Sequence, residues 1–388
     1  MLRVFLGLVL LSQLAACSTI GGWFSSDDED PTAPAELVDI DETVKIRKLW
    51  SVGIGDGQGD GLYKLQPVID GDRIYAASTD GEVYAISRER GKKLWDADLD
   101  MSLSGGVGVS GDALFVGSSD GTVLKLSADG GDILWSARLH GEVLAPPQSN
   151  GRVVVVQTYD GKLQGLDFDS GERLWTYDSD VPVLTIRGTS TPVINGDAVY
   201  AGFANGRVVA FDIDSGGILW EARVAIPQGR SEIDRMVDID GSMALVGSEL
   251  FAASYHGRLV AIDVASGRRT WQKDISSWSG VSQGFNNVYV ADEDGTLNAF
   301  YRNGQGLRWQ QGALAYRGLS RPTPVSSYVA VVDFDGYLHL VSQVDGEFVG
   351  RDHIGGDGAR ADMLSDGNVL YVFTNKGTLA AYEVSARN

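Results

Sequence analysis

The amino-acid sequence predicts an all-β protein that forms an eight-bladed β-propeller with four-stranded antiparallel blades. A turn glycine recurs at intervals of about 40 residues, a period typical of propeller blades. Fourteen residues after each of the first seven glycines lies a second recurrent position, which holds tryptophan in six of the units. The glycines are Gly81, Gly121, Gly161, Gly206, Gly257, Gly295, Gly336 and Gly377. The second position holds Trp95, Trp135, Trp175, Trp220, Trp271, Trp309 and, in the seventh unit, Gly350.

The fourth unit shows why four strands are expected in each blade. Four short β-rich runs follow one another in it, separated by turn residues such as Asn195-Gly196-Asp197. The runs are Thr191–Ile194, Ala198–Phe203, Arg207–Phe211 and Ile218–Trp220. A helical solenoid of the same period would need an apolar spacing of 3.6 residues, which these units lack. Glycine turns also interrupt the chain too often for helices, and we reject that alternative.

The two ends of the chain predict how the ring closes. Gly377 is followed by one β-rich run, and the sequence then stops before a tryptophan position. The run Lys45–Trp50 has the pattern that ends a blade, so we expect this N-terminal strand to pair with the C-terminal blade and leave no open sheet edge. With Trp50, seven of the nine tryptophans share one structural position. We expect them to pack between blades, not to form a cofactor box or a platform for nucleic-acid bases.

The N-terminus predicts export and lipidation. Residues 1–16 have the charged start, the short apolar run and the small-residue exit of a signal peptide. The run Leu14-Ala15-Ala16-Cys17 resembles the bacterial lipobox, in which the cysteine becomes the lipidated N-terminus. Cys17 is the only cysteine of the chain, so a structural disulfide is excluded if it carries lipid. Because Ser18 follows, in place of the aspartate that retains lipoproteins at the inner membrane, we expect an outer-membrane protein facing the periplasm.

The composition of the mature chain indicates a tether followed by a propeller, and its net charge disfavours two kinds of partner. Residues 17–40 are acidic, contain proline and lack large apolar side chains in their central part, which predicts a flexible tether before a propeller at 41–388. The net charge of −20 disfavours nucleic-acid binding, which relies on Lys and Arg to neutralise phosphates. The same charge disfavours direct adhesion to an anionic membrane surface.

Two consecutive connections between blades stand out among the seven that follow the positions from Trp95 to Gly350. From this position to the next turn glycine, the connections after Trp175 and Trp220 take 31 and 37 residues, whereas the other five take 24 to 27. Connections between consecutive blades are neighbours in a propeller, so we expect these two loops to lie side by side. They combine apolar side chains with arginines and carboxylates, which is typical of a protein-binding surface. The alternative is that the two loops only cover and pair with each other.

The sequence contains no pattern typical of a catalytic site or a metal site. The four histidines, at positions 140, 256, 339 and 353, fall in different units and lack a second ligand at metal-binding spacing. The glycine-rich run Gly53–Gly61 precedes no helix, so a phosphate-binding loop is excluded and a connection between blades is favoured over a calcium loop. We therefore expect no catalytic residue, no metal and no cofactor.

The blade ending Gly171-Glu172-Arg173-Leu174-Trp175 resembles the tryptophan-docking repeat that two families share. These are the periplasmic quinone-dependent dehydrogenases, which have PQQ-like repeats, and the BamB family of outer-membrane assembly lipoproteins. The dehydrogenases are longer and use a vicinal cysteine pair, so the chain is more similar to the BamB family. This resemblance implies a non-enzymatic scaffold in the BAM complex, the machinery that inserts β-barrel proteins. The alternative is a periplasmic quinoprotein-like enzyme or a ligand-binding propeller that uses the central channel.

The resemblance also implies a partner surface. In the BamB family, positions matching the two long loops contact the periplasmic POTRA domains of the barrel-assembly protein BamA. Carried over to this chain, these positions are Leu184, Ile186, Arg187, Asp238 and Asp240, with Glu232, Asp234 and Arg235 as neighbours. Contact with unfolded outer-membrane proteins is a further expectation. Gly350 departs from the repeat and puts the packing of one blade in question.

Overall fold

The chain folds into eight antiparallel sheets of four strands each in this computed structural model. The structure describes residues 30–61 and 63–387. Residues 30–34 belong to a separate unit, in which the Ala33 N–H donates to the Asp30 carbonyl oxygen at 2.9 Å. The predicted signal peptide at 1–16, the predicted lipidation site Cys17 and the tether up to residue 29 lie outside the described residues. Among the residues described, no helix is long and apolar enough to cross a membrane.

The strands are numbered in chain order. They are β1 (Val44–Gly53), β2 (Val68–Asp70), β3 (Arg73–Ala77), β4 (Glu82–Ser87), β5 (Lys93–Asp98), β6 (Leu103–Ser110), β7 (Ala113–Ser118), β8 (Thr122–Ser127), β9 (Ile133–Arg138), β10 (Gln148–Ser149), β11 (Val153–Gln157), β12 (Lys162–Asp167), β13 (Arg173–Asp178), β14 (Val193–Asn195), β15 (Ala198–Gly202) and β16 (Arg207–Asp212). The second half contains β17 (Ile218–Arg223), β18 (Ala244–Val246), β19 (Glu249–Ala253), β20 (Arg258–Asp263), β21 (Arg269–Asp274), β22 (Val281–Gly284), β23 (Asn287–Ala291), β24 (Leu297–Tyr301), β25 (Leu307–Gln311), β26 (Thr323–Val325), β27 (Tyr328–Val332), β28 (Tyr337–Ser342), β29 (Phe348–His353), β30 (Leu364–Asp366), β31 (Val369–Phe373) and β32 (Thr378–Ala386).

The blades follow the predicted topology. Seven sheets are each built from four consecutive strands, from β2–β5 to β26–β29. The eighth has the order β1-β32-β31-β30, so the N-terminal strand completes the C-terminal blade. In this blade Val44 lies opposite Ala386 and Gly53 lies opposite Thr378. The prediction of an eight-bladed propeller closed by its two ends is therefore confirmed.

The apolar core lies between blades and not at a single centre. The described residues form eight buried clusters, one at each interface between neighbouring blades. One of them, for example, joins Val155 of β11 to Phe211 of β16. The first strands of neighbouring blades contact one another around the centre, whereas the fourth strands form the exposed outer rim. Each blade thus buries both of its faces and depends on its two neighbours.

The recurrent tryptophans join neighbouring blades, as predicted. Each donates its indole N–H to a carbonyl oxygen in the turn after the third strand of the next blade, at 2.8 to 3.1 Å. Trp175 donates to Ile213 at 2.9 Å, and its ring lies on Gly216. A Cβ at Gly216 would lie 2.6 Å from that ring, and the backbone there has a φ of +71°, so the turn requires glycine. The seven tryptophans are Trp50, Trp95, Trp135, Trp175, Trp220, Trp271 and Trp309.

Ring closure explains why Gly350 departs from the repeat. The third and fourth strands of the eighth blade come from opposite ends of the chain, so this blade lacks the turn on which a tryptophan at position 350 would dock. The N-terminal strand occupies that place, and a Cβ on Gly350 would lie 3.2 Å from the Val44 carbonyl oxygen. The Thr43 N–H donates to the Val349 carbonyl oxygen at 3.0 Å beside it. Gly350 therefore makes room for the closing strand.

The residues just before β1 are also fixed to the propeller. We call residues 35–43 the N-terminal strap. Its Ala35 carbonyl oxygen accepts a hydrogen bond from Arg317 at 3.0 Å, and its Val38 carbonyl oxygen accepts one from Arg351 at 2.8 Å. Arg317 is buried and also pairs with Asp333 at 2.7 Å. Hydrogen bonding to the propeller thus begins at residue 35, before the predicted domain boundary at residue 41.

Candidate functional site

The two long connections lie in contact at one end of adjacent blades. The first joins β13 to β14 and the second joins β17 to β18. The Ile186 N–H of the first loop donates to the Asp238 Oδ1 of the second at 3.1 Å. A Cβ on Gly188 would lie 2.8 Å from the Asp240 carboxyl carbon, which shows how closely the Asp240 side chain approaches the first loop. The two loops therefore lie side by side, as their positions in the repeat predicted.

Apolar side chains of both loops are exposed to solvent. Val183 is 92% exposed and Leu184 is 40% exposed on the first loop, and Ile226 and Ile233 are 50% and 58% exposed on the second. We call these four residues, together with Arg187, the paired-loop surface. All four lie on the two loops that contact each other, and exposed large apolar side chains on such loops are typical of an interaction site. Contact between the two loops thus buries only part of their apolar side chains.

Arg187 is held in place by two other connections. Its guanidinium pairs with Glu142 of the β9–β10 connection at 2.7 Å, and its side chain remains 38% exposed. The guanidinium carbon lies 5.8 Å from the ring centre of Tyr63 and 6.0 Å from that of Tyr159. The Tyr159 hydroxyl also hydrogen-bonds the Thr185 hydroxyl at 2.9 Å, which connects the first loop to the β11–β12 turn. Arg187 is therefore an oriented positive charge at the edge of the surface.

The two aspartates predicted to contact a partner lie beneath the surface instead of on it. Asp238 is only 1% exposed, and burial raises its pKa to about 7. Burial, and next the neighbouring Asp238 carboxyl, raise the pKa of Asp240 well above its usual range. Asp238 supports the backbone at Ile186, and Asp240 packs under Gly188. Their geometry fits a supporting role for the first loop, whereas Leu184 and Arg187 are available to a partner.

The remaining predicted residues shape the second loop. Glu232 and Arg235 form an exposed pair at 3.4 Å within that loop. The Asp234 carboxylate accepts the N–H groups of Ser231 and Arg230 at 3.1 and 3.2 Å, and hydrogen bonds from Ser231 lower the pKa of Asp234. Asp234 therefore stabilises a turn that presents Ile233, a role that is independent of a partner.

Three charged groups at the central channel are paired with one another. The buried Asp362 accepts Lys64 at 2.8 Å and Arg321 at 3.1 Å, and it also accepts the Ser242 hydroxyl. Burial opposes its ionisation, but the charges of Lys64 and Arg321 lower the pKa of Asp362 to about 2. Among the described residues, no three His, Cys, Asp or Glu side chains are grouped so that they could hold a metal ion. The Asp362 group thus acts as a structural tie across the channel between four different connections.

Sequence reasoning missed the groups that orient Arg187. Tyr63 lies on the β1–β2 connection, Glu142 lies on the β9–β10 connection, and Tyr159 is in a turn within a blade. Their approach to Arg187 depends on the curvature of the ring, which a repeat pattern alone does not give. Only the placement of connections from several blades at one end of the propeller could have suggested it.

A propeller with tryptophan-docked blades, self-paired channel charges and an exposed apolar loop surface belongs to the class of protein-binding scaffolds. A family model described as "Outer membrane protein assembly factor BamB" matches residues 47–101 and 79–311. The outer membrane protein assembly factor BamB of Pseudomonas aeruginosa is 54% identical over 360 residues, which cover 93% of this chain and 95% of that protein. The BamB of Marinobacter adhaerens is 48% identical over 387 residues, covering 99% and 97%. The crystal structure of BamB from Moraxella catarrhalis matches with a TM-score of 0.81 and 30% identity, covering 87% of this chain and 100% of that one. The chain therefore belongs to the BamB family of outer membrane protein assembly factors.

Family membership confirms several predictions made from the sequence. The chain is an outer membrane protein assembly factor and not an enzyme, and it is a component of the BAM machinery at the outer membrane. The choice of this family over the quinone-dependent dehydrogenases is also confirmed. The surface through which the chain binds its neighbours remains a prediction.

Proposed function

We propose that the chain is a scaffold whose paired-loop surface binds the periplasmic POTRA domains of BamA. The observation that carries this proposal is the exposure of Val183, Leu184, Ile226 and Ile233 on two loops that support each other. Burying such side chains at an interface contributes about 1.5–3 kcal/mol each before the costs of association. Such a surface has a lower free energy in contact with a protein partner than in contact with water.

The charge of Arg187 adds specificity to the apolar area. Its guanidinium is already oriented by Glu142, Tyr63 and Tyr159, so little side-chain freedom is lost when a partner binds. A partner carboxylate beside it would form a charge-assisted hydrogen bond with a donor that Glu142 leaves free. The expected partner therefore presents an apolar patch with an acidic residue at its edge.

Lipidation at Cys17 is the second part of the proposal. The lipid would hold the N-terminus in the inner leaflet of the outer membrane, and the tether would connect it to the N-terminal strap. Stable anchoring needs more than one acyl chain, which bacterial lipoproteins carry. Mass spectrometry of the N-terminal peptide tests this directly, since a Cys17→Ser variant should lose the added mass and leave the membrane fraction.

Binding to purified POTRA domains tests the partner and the surface together. The full chain with Cys17→Ser is compared with the same chain carrying Leu184→Asp or Arg187→Ala. Each added change should weaken binding at least about tenfold, because truncating or charging a central contact costs about 2 kcal/mol or more. Leu219→Asp is the matched control, because Leu219 is 56% exposed on the outer strand β17, away from the loops.

Three outcomes are informative. Loss of binding in the two loop variants, with the control unchanged, supports both the partner and the surface. Binding that neither loop variant weakens means that the partner is right and the surface is wrong. An unmodified surface that does not bind POTRA domains at all contradicts the proposal, and a ligand-binding role for the channel then becomes the alternative to test.

A further inference from the structure

The mouth of the central channel contains a cavity of about 310 Å³ at the same end as the paired loops. Every connection between blades except β5–β6 contributes to its lining. Lys64 and Arg321 of its lining are paired with Asp362. The volume of the cavity falls in the range of pockets that bind small molecules, which begins at about 300 Å³.

One part of the lining is apolar and partly aromatic. It includes Leu144, Ile186, Trp278, Phe334 and Ala359. Trp278 and Phe334 are both 42% exposed, so each presents much of its ring to the cavity. Neither is one of the tryptophans or aromatic residues that join blades. The Arg317 guanidinium carbon lies 5.2 Å from the ring centre of Phe334, and a flat apolar group could pack against the part of the Phe334 and Trp278 rings that stays exposed.

The ionisable residues of the lining have a charge opposite to that of the chain. They comprise four cations and two carboxylic acids, in a chain whose net charge is −20. One of the acids, Asp357, is paired with Lys376 at 2.6 Å. The other, Asp240, is buried, and its raised pKa favours the neutral acid. The cations are Lys64, Arg187, Arg321 and Arg360. Lys64 and Arg321 share Asp362, and Arg187 pairs with Glu142. With these partners and Lys376 included, five cations lie near three carboxylates other than Asp240, and this excess of positive charge attracts anions.

Three polar groups of the lining lack partners. The Thr189 and Ser279 hydroxyls and the Asp240 Oδ2 are buried and have no hydrogen-bond partner among the described residues. Hydroxyls and a protonated carboxyl can all donate hydrogen bonds, and leaving such groups unpaired costs about 1–3 kcal/mol each. A ligand with acceptor oxygens would satisfy them. Buried unpaired donors beside cations and an apolar wall indicate a bipartite ligand.

We propose that the channel mouth binds a small amphipathic carboxylate, with its flat apolar body against Trp278 and Phe334. Its oxygens face Lys64, Arg187, Thr189 and Ser279. This inference goes beyond the proposed function and does not depend on it. Ile186 and Arg187 line the cavity and also belong to the first of the paired loops. A ligand in the cavity would therefore contact residues next to the paired-loop surface.

The test compares two probes of nearly the same size and shape that differ in charge. The full chain with Cys17→Ser is titrated by calorimetry with 2-naphthoate and with the uncharged 2-naphthamide. Naphthoate should bind at a single site, and naphthamide should bind about tenfold more weakly or worse, because it lacks the ionic hydrogen bonds. Trp278→Ala should weaken both probes. Arg187→Gln should weaken naphthoate several-fold and leave naphthamide unchanged.

The control variant is Phe285→Ala. Phe285 is 60% exposed in the β22–β23 turn, at the other end of its blade, so its loss should change neither affinity. Equal affinities for acid and amide, no saturable binding of naphthoate, or binding that survives Trp278→Ala unchanged would each overturn the proposal. Circular dichroism of every variant separates misfolding from loss of the site, and Arg187→Gln keeps the test decisive if Trp278→Ala unfolds. Because POTRA domains are absent from this assay, its result is independent of the proposed function.

Discussion

Asp238→Asn should stabilise the protein at neutral and alkaline pH while leaving the partner surface intact. The buried carboxyl has a pKa of about 7, compared with a usual value of 3.8. Because the folded-state pKa is raised, the native state holds a proton that the unfolded chain releases between these two values. Asp238 therefore lowers the free energy of unfolding progressively as the pH rises from about 4 to about 7. Asparagine cannot ionise, keeps an oxygen that can accept the Ile186 N–H, and avoids this cost.

The magnitude follows from the size of the shift. Each pKa unit corresponds to about 1.4 kcal/mol, so the full shift of Asp238 from 3.8 to about 7 sets an upper limit of about 4 kcal/mol. Local relaxation and water reduce this, and we expect Asp238→Asn to gain at least about 2 kcal/mol at pH 8 and almost nothing at pH 4. Asp240 lies beside Asp238, and the Asp238 carboxyl helps to raise its pKa. Removing that charge therefore also makes the ionisation of Asp240 less costly.

Equilibrium urea unfolding of the full chain with Cys17→Ser, at several pH values from 4 to 9, provides the measurement. The difference in unfolding free energy between Asp238→Asn and its parent should rise with pH and level off above about pH 7. A difference that is constant across this range would refute the assignment of a buried, protonated Asp238. Loss of POTRA binding in a folded Asp238→Asn protein would contradict the prediction that this change leaves the partner surface intact.

Three further predictions concern the ring and its closure. Trp175→Phe removes the indole donor and should lower the free energy of unfolding by about 1–3 kcal/mol. Its control, Trp278→Phe, lies outside the docking positions and should change the free energy of unfolding by less than about 0.5 kcal/mol. Urea unfolding measures both. Gly350→Trp restores the repeat but places an indole where the N-terminal strand runs, so it should cost about 1–3 kcal/mol or more in the same measurement. Arg317→Ala removes one contact of the N-terminal strap and leaves the buried Asp333 with His339 as its remaining side-chain partner. Losing one member of this buried ion pair should cost about 3–5 kcal/mol and speed hydrogen exchange in residues 35–43. Exchange there that stays as slow as in the parent would contradict the contacts of the strap.

The repeat allowed much of the fold to be predicted, because its signals are local. A turn that needs glycine and a tryptophan that docks on the next blade recur at fixed spacing, so both are visible without knowledge of tertiary contacts. Trp50 showed in the same way that the N-terminal strand closes the ring. Gly350 could not be explained from the sequence, since the reason lies in the contact of that glycine with Val44, far away along the chain.

The candidate site was only partly predictable. Loop length correctly placed the two connections side by side, and Leu184 and Arg187 are exposed as an interface requires. The run Val237–Asp240 alternates apolar and acidic residues, which suggests one buried and one exposed face. In the structure Asp238 is buried with its apolar neighbours, because this run passes between the end of its blade and the first loop. Such burial on both sides depends on the neighbouring loop and leaves no local pattern.

The most direct test of the central claim is a contact made within the assembled machinery. Val183 is replaced by the photo-crosslinking residue p-benzoylphenylalanine in the otherwise unmodified chain, in cells that contain the complete BAM complex. Because the Val183 side chain is 92% exposed at the tip of the first loop, irradiation should yield a crosslink to a POTRA domain of BamA. The same residue at Phe285, at the other end of the propeller, should yield none. A crosslink from position 285 but not from position 183, in a correctly folded protein, would contradict the assignment of the paired-loop surface.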